Sequence, residues 1–207
     1  MQNFQLKLTQ ATSCRALILA ACVALAACGD GASTGSAAGA TNSGATTSTT
    51  PPAQSPSATA NDITCGIANF QADFLARINT LRASGAVCGG VGYPAVRGLG
   101  WDGQLENAAT VHATDMATNN FFAHQSPTTG TTLRDRVPAA GYNYQSAGEN
   151  IAAGQTSVSQ VMADWINSPS HCANMMKSSF RDIGVSCKIN PSSNYKYYWA
   201  MELGVRQ

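Results

Sequence analysis

Gly148-Glu149-Asn150-Ile151-Ala152 stands between two similar histidine loops, Ala123-His124-Gln125-Ser126-Pro127 and Ser168-Pro169-Ser170-His171. The chain has three histidines in 207 residues, and two of them share this setting of small polar residues and proline. Imidazole exchanges protons near neutral pH, and imidazole with carboxylate binds divalent ions. Glu149, flanked by His124 and His171, is therefore where chemistry is expected. The third histidine, His112, falls on the apolar stripe of an expected helix, where a lone histidine is expected to be a hydrogen-bonded core residue.

Periodicity fixes the elements around these loops. Phe70, Phe74, Leu75, Ile78 and Leu81 recur at helical spacing, and Gly85 is a stop signal. Leu105, Ala108, Ala109, His112 and Met116 mark a second helix over 103–119. A short third helix is expected over 131–140, with Pro138 inside it or at its entry. Ser157 and Gln160 have capping-box spacing before the stripe Val158, Val161, Met162, Trp165 and Ile166, which Pro169 is expected to stop. A helical turn is expected over 171–177.

The period then becomes two. Ile183, Val185, Cys187 and Ile189 alternate, as do Tyr197, Trp199, Met201 and Leu203, separated by Asn190-Pro191-Ser192-Ser193-Asn194. This reads as a β-hairpin with one buried face. Short strands are also expected near 98–101 and 149–152. Helices first and strands later, without a βαβ rhythm, indicate an antiparallel α+β domain.

The N-terminus reads as an address. Lys7 and Arg15 precede an uncharged apolar run over 16–27, shorter than the roughly 20 residues of a membrane span. It fits a secretory signal peptide over 1–27. Leu25-Ala26-Ala27-Cys28 resembles a bacterial lipobox, which implies acylation of Cys28 and a membrane anchor. An ordinary signal peptide and a secreted product are the alternative. Gly29 after the cysteine, by similarity to enterobacterial sorting, points to the outer membrane. Residues 28–62 are rich in Ala, Gly, Ser, Thr and Pro and bury too little apolar surface to fold, so they read as a tether. Residues 63–207 then form one domain.

Without Lys7 and Arg15 the chain carries ten basic and eleven acidic residues, which gives no electrostatic footprint for nucleic acid. Cys65, Cys88, Cys172 and Cys187 remain in the domain, and an even count in an exported domain implies two disulfides. The local pairing Cys65–Cys88 and Cys172–Cys187 is preferred among three connectivities. A reactive Cys172 thiol beside His171 is the alternative.

Leu99-Gly100-Trp101-Asp102, His112-Ala113-Thr114-Asp115-Met116-Ala117, Phe121-Phe122-Ala123-His124-Gln125-Ser126-Pro127, Ala140-Gly141-Tyr142 and Gly148-Glu149-Asn150-Ile151-Ala152 occur in this order. Trp165-Ile166-Asn167-Ser168-Pro169-Ser170-His171 and Phe180-Arg181-Asp182-Ile183-Gly184-Val185 complete the series. Together these residues resemble the CAP superfamily, also called the SCP or pathogenesis-related-1-like domain, in its bacterial form. The resemblance implies a three-layer α-β-α sandwich with a central antiparallel sheet.

It also implies a cleft of two histidines and two acids. His124 and His171 match the histidines and Glu149 the first acid, while Ser168 stands at the second acid's position. Asp164 is a helix neighbour of Trp165 and is expected to point elsewhere. His124, Glu149 and His171 are then the ligands expected for a divalent ion such as zinc, with an open position for activated water. Ser126, Ser168 and Ser170 neighbour the histidines in sequence but lack a Gly-x-Ser-x-Gly elbow.

Two functions follow. One is a non-catalytic module at the cell envelope that binds a lipid, sterol or cell-wall ligand, with Phe121, Phe122, Tyr142 and Tyr144 as contacts. The other is a metal-dependent peptide or ester hydrolase. A structural cluster is a third use of the same residues, with Glu149 holding His124 or His171 and Asn150 bonding backbone groups.

Overall fold

The computed structural model describes residues 62–207. The expected signal peptide, Cys28 and all but the last residue of the expected tether lie outside them. The first helix, α1 (Phe70–Ser84), buries Phe70, Phe74 and Ile78 as its spacing requires. Gly85 ends it with φ 73°, a conformation open to glycine. Buried Arg82 near its end donates to the carbonyls of Arg97, Met175, Lys177 and Phe180, which ties α1 to distant segments.

A hairpin follows, β1 (Ala86–Cys88) and β2 (Val91–Tyr93), turned at Gly89-Gly90, both with positive φ. Its three-residue strands are too short to show alternation, so no periodicity marks them. β3 (Gly100–Trp101) leads into α2 (Gly103–Asn119), where Asp102 accepts from the N–H groups of Gln104 and Leu105 at 2.9 and 3.2 Å. Next comes α3 (Leu133–Ala139), opened by a capping box between Thr132 and Asp135 and carrying Pro138 inside.

β4 (Tyr144–Ala153) is longer than the expected strand at 149–152. Helix α4 (Val158–Asn167) is capped by Ser157, whose side chain accepts from Gln160 N–H. Pro169 opens α5 (Pro169–Met175) at its first turn, where its missing N–H costs nothing, so it starts a helix as well as ending one. The hairpin β5 (Asp182–Ile189) and β6 (Tyr197–Arg206) closes the chain.

The main sheet runs β3-β5-β6-β4 and is antiparallel except for the short β3–β5 pairing. On one face Phe70, Phe74, Val161, Trp165 and Met175 pack against Val185, Trp199, Met201 and Leu203. On the other, Ala109, Ala113, Met116 and Ala117 of α2 pack against Ile151, Tyr198 and Ala200. The three-layer sandwich is therefore formed. The expectation of one buried face for the last hairpin is corrected: β6 is buried from Tyr198 to Gly204 because helices cover both faces. α2 lies so close to β5 that a Cβ at Gly184 would fall 2.0 Å from the Glu106 nitrogen.

The disulfide pairing is also corrected. Cys65 bonds Cys187 and Cys88 bonds Cys172, with Cα separations of 5.3 and 5.5 Å. Sequence proximity misleads because α1 lies between Cys65 and Cys88 and carries the chain about 22 Å. Meanwhile Ile63 and Thr64 pair along β5 at Cys187, which brings Cys65 there. Cys88 sits on the hairpin that packs against α5 and Cys172. Cys172 is thus bonded, which removes the free-thiol alternative.

Candidate functional site

Glu149 lies on β4, an edge strand, with its side chain 3 % exposed. Strand geometry sends consecutive side chains to opposite faces. Glu149 and Ile151 point toward α2 and α3, whereas Asn150 and Ala152 point toward α4 and α5. This alternation sends the Glu149 and Asn150 side chains to opposite faces, while the His171 ring still lies near enough to His124 for the two charges to interact.

On the α2 side, Glu149 Oε1 accepts from His124 Nδ1 at 2.6 Å. Its Oε2 accepts from Arg136 Nη2 and lies 3.8 Å from His112 Nε2. Arg136 also donates to the carbonyls of Thr131 and His124, so one guanidinium holds the His124 loop against β4. Buried beside them is Glu202, directly across from Glu149 in the β4–β6 ladder. His124 itself is 59 % exposed. Because its Nδ1–H bonds Glu149, its Nε2 is the nitrogen free to meet a ligand. A groove of about 360 Å³ opens here, lined by His124, Gln125, Thr132, Leu133, Arg134 and Glu149.

On the other side, Asn150 Nδ2 donates to the His171 carbonyl at 3.1 Å, and Asn174 Nδ2 donates to Asn150 Oδ1 at 2.9 Å. Asn150 therefore bonds backbone at α5, as its structural reading anticipates. The His171 ring is half-buried; burial, and then the His124 charge, lower its pKa. Ser168 forms the corner between α4 and α5, its N–H bonded to Asp164 carbonyl and its own carbonyl to Cys172 N–H. Asp164 faces outward and accepts from Gln155, as its helix position implies. Ser126 is buried in the turn after His124, bonded to Thr128 and Thr129, a turn residue rather than a nucleophile.

Charge at the site is opposed by burial. Burial raises the Glu149 carboxyl, but the His124 hydrogen bond, His112, Glu202 and Arg136 outweigh it and bring the pKa to about 2. His112 is lowered, first by burial, with Glu149 opposing and Arg136 adding. Burial, and then the charge on Glu149, raise Glu202 well above the ordinary carboxyl value. His112 departs from its expected role: it is fully buried, yet neither ring nitrogen makes a hydrogen bond of good geometry. It belongs to this cluster and not to an ordinary core.

The donor set does not fit a resident divalent ion. Both oxygens of Glu149 are engaged, one by a guanidinium that repels a cation from the same place. Among the described residues no three His, Cys, Asp or Glu side chains are grouped so as to hold a metal. The residues that sequence reading passed over are Arg136 and Glu202. Neither carries a motif signal. Glu202 lies at the even positions of β6, a face visible only once α2 covers it.

A family model described as "CAP: Cysteine-rich secretory protein family" matches residues 75–203. Among curated relatives, YkwD of Bacillus subtilis is 40 % identical over 84 residues, 41 % of this chain and 32 % of that protein. YlbC of the same organism, described as a membrane protein, is 34 % identical over 87 residues, 42 % of this chain and 25 % of that one. The matches therefore span about a third or less of either relative. Among solved structures, an extracellular SCP-domain protein of Bacillus anthracis has TM-score 0.53 and 29 % identity, covering 66 % of this chain and 40 % of that one. An outer surface protein of Borrelia burgdorferi has TM-score 0.55 and 21 % identity, covering 66 % and 92 %.

Proposed function

Since this chain belongs to the CAP, or cysteine-rich secretory protein, family, we propose that it is an exported, envelope-anchored member acting as a non-catalytic binding module. Its ligand is a lipid, sterol or cell-surface component, and Cys28 is its lipid anchor. The outer membrane is the destination this reading favours. Export is supported by the N-terminal 27 residues and by the likeness to a protein described as extracellular.

One observation carries the non-catalytic reading: Glu149 is committed on both oxygens to partners within the chain. A general base needs a lone pair directed at substrate. Here the carboxylate instead braces the loop that forms the groove wall. His124 Nε2, Leu133, Thr132 and Arg134 are left to meet a ligand in a mainly apolar concavity. The metal-dependent hydrolase draws no support from this arrangement, since the carboxylate it would use is paired with Arg136.

The test is cosedimentation of the purified protein with phosphatidylcholine vesicles, with and without cholesterol, and with insoluble peptidoglycan. Saturable binding to one of them, weakened by Leu133→Asp in the groove, is expected. Hydrolysis of peptide or ester substrates by wild type, lost in Glu149→Gln, overturns the reading.

A further inference from the structure

Two buried carboxyl groups stand side by side in this domain. Glu149 and Glu202 are direct partners in the antiparallel β4–β6 register, and their side chains share the α2 face. Opposed residues in such a ladder have Cβ atoms about 4.5–5.5 Å apart. Glu202 is fully buried, and neither of its oxygens accepts a hydrogen bond from any N–H or O–H among the described residues. Two ionised carboxylates are both acceptors and cannot bond each other. A single proton on one of them turns the pair into a donor and an acceptor.

We propose that Glu202 is held as a neutral carboxylic acid whose proton bonds Glu149, making Glu202 a positioning residue for the His124 wall of the groove. Charge supports this. The groups facing the pair are Arg136 from α3, His112 from α2 and His124 from the loop; β5 presents Gly184, which has no side chain. Asp182, further along β5, is taken by the Tyr142 hydroxyl, and Asp115 of α2 bonds Asn119 at the exposed side. Arg136 balances one carboxylate. Burial lowers the His112 pKa, which works against a second cation there. Like charges at this separation in a dry setting do not both ionise, so one proton stays.

The arrangement assigns each group one role. Arg136 and the Glu202 proton hold Glu149 ionised and fixed. Glu149 accepts from His124 Nδ1, which sets the tautomer and presents Nε2 outward. This replaces the divalent ion expected between the histidine loops with an internal proton and a guanidinium. This cluster geometry is independent of whether the proposed ligands bind.

The chain has three glutamates, Glu106, Glu149 and Glu202, so its glutamate carboxyl carbons are separately observable. Carbon-13 NMR of the full chain with labelled glutamate, at pH 7, is the test. One protonated carboxyl resonance is expected, assigned by its loss in Glu202→Gln, beside two ionised ones. Glu202→Gln, which keeps a donor, is expected to retain the His124 nitrogen-15 pattern of an Nδ1–H tautomer, whereas Glu202→Leu loses it. Three ionised carboxyl carbons in wild type at pH 7 overturn the proposal, whatever the variants do.

Discussion

Glu149 and Glu202 face each other from adjacent antiparallel strands, with both side chains buried, and Arg136 donates to the first of them. The cleft is organised around this relationship: a carboxylate stabilised from inside the protein presents a histidine to the outside.

Removing the guanidinium should expose its share. Arg136→Met leaves Glu149 without its cation and frees the carbonyls of Thr131 and His124. Breaking a buried ion pair on one side costs about 3–5 kcal/mol. Urea denaturation should show that loss, and Arg136→Met with Glu149→Gln should recover part of it. An unchanged midpoint in the single variant would show the pair to be idle.

Acid should act on the same carboxylate. The Glu149 pKa of about 2 lies below its ordinary 4.5, so between these values the unfolded chain binds more protons than the folded one. Its stabilisation is complete above about pH 4.5 and is lost as pH falls toward 2. Glu202 has the opposite sign: its raised value makes stability fall as pH rises above 4.5. The gap in unfolding free energy between wild type and Glu149→Gln should therefore narrow from pH 5 to pH 2.5. A constant gap across that interval contradicts the assignment.

Much of the fold was legible in the sequence. The stripe Phe70, Phe74, Ile78 and the stripe Leu105 to Met116 give their helices because apolar periodicity reports the buried face directly. The strand at 149–152 was placed but not its full extent, since Tyr144 to Gly148 do not alternate. His124 next to Glu149 was legible by resemblance, and the structure adds their 2.6 Å contact. Arg136, Glu202 and the involvement of His112 were not. Each depends on which face of one element meets another, and a charged residue in a strand reads as solvent-facing until a helix covers it.

Digestion without reduction, followed by mass spectrometry, should yield peptides joined as Cys65–Cys187 and Cys88–Cys172. Removing both members of the second bridge as serine should cost about 2–5 kcal/mol. A Cys65–Cys88 peptide would refute the pairing.

Cys28→Ala should move the exported protein from the membrane fraction to a soluble one. Fractionation after expression in a Gram-negative host reads this directly, and unchanged membrane association rules out the anchor.

The account's central claim is that Glu149 is spent on holding the groove and does not serve an ion or a reaction. Calorimetric titration of the purified protein with zinc, compared with His124→Ala, tests this most directly. The account predicts equal, non-saturating heats in the two proteins. A saturable one-to-one heat in wild type that His124→Ala abolishes would contradict it.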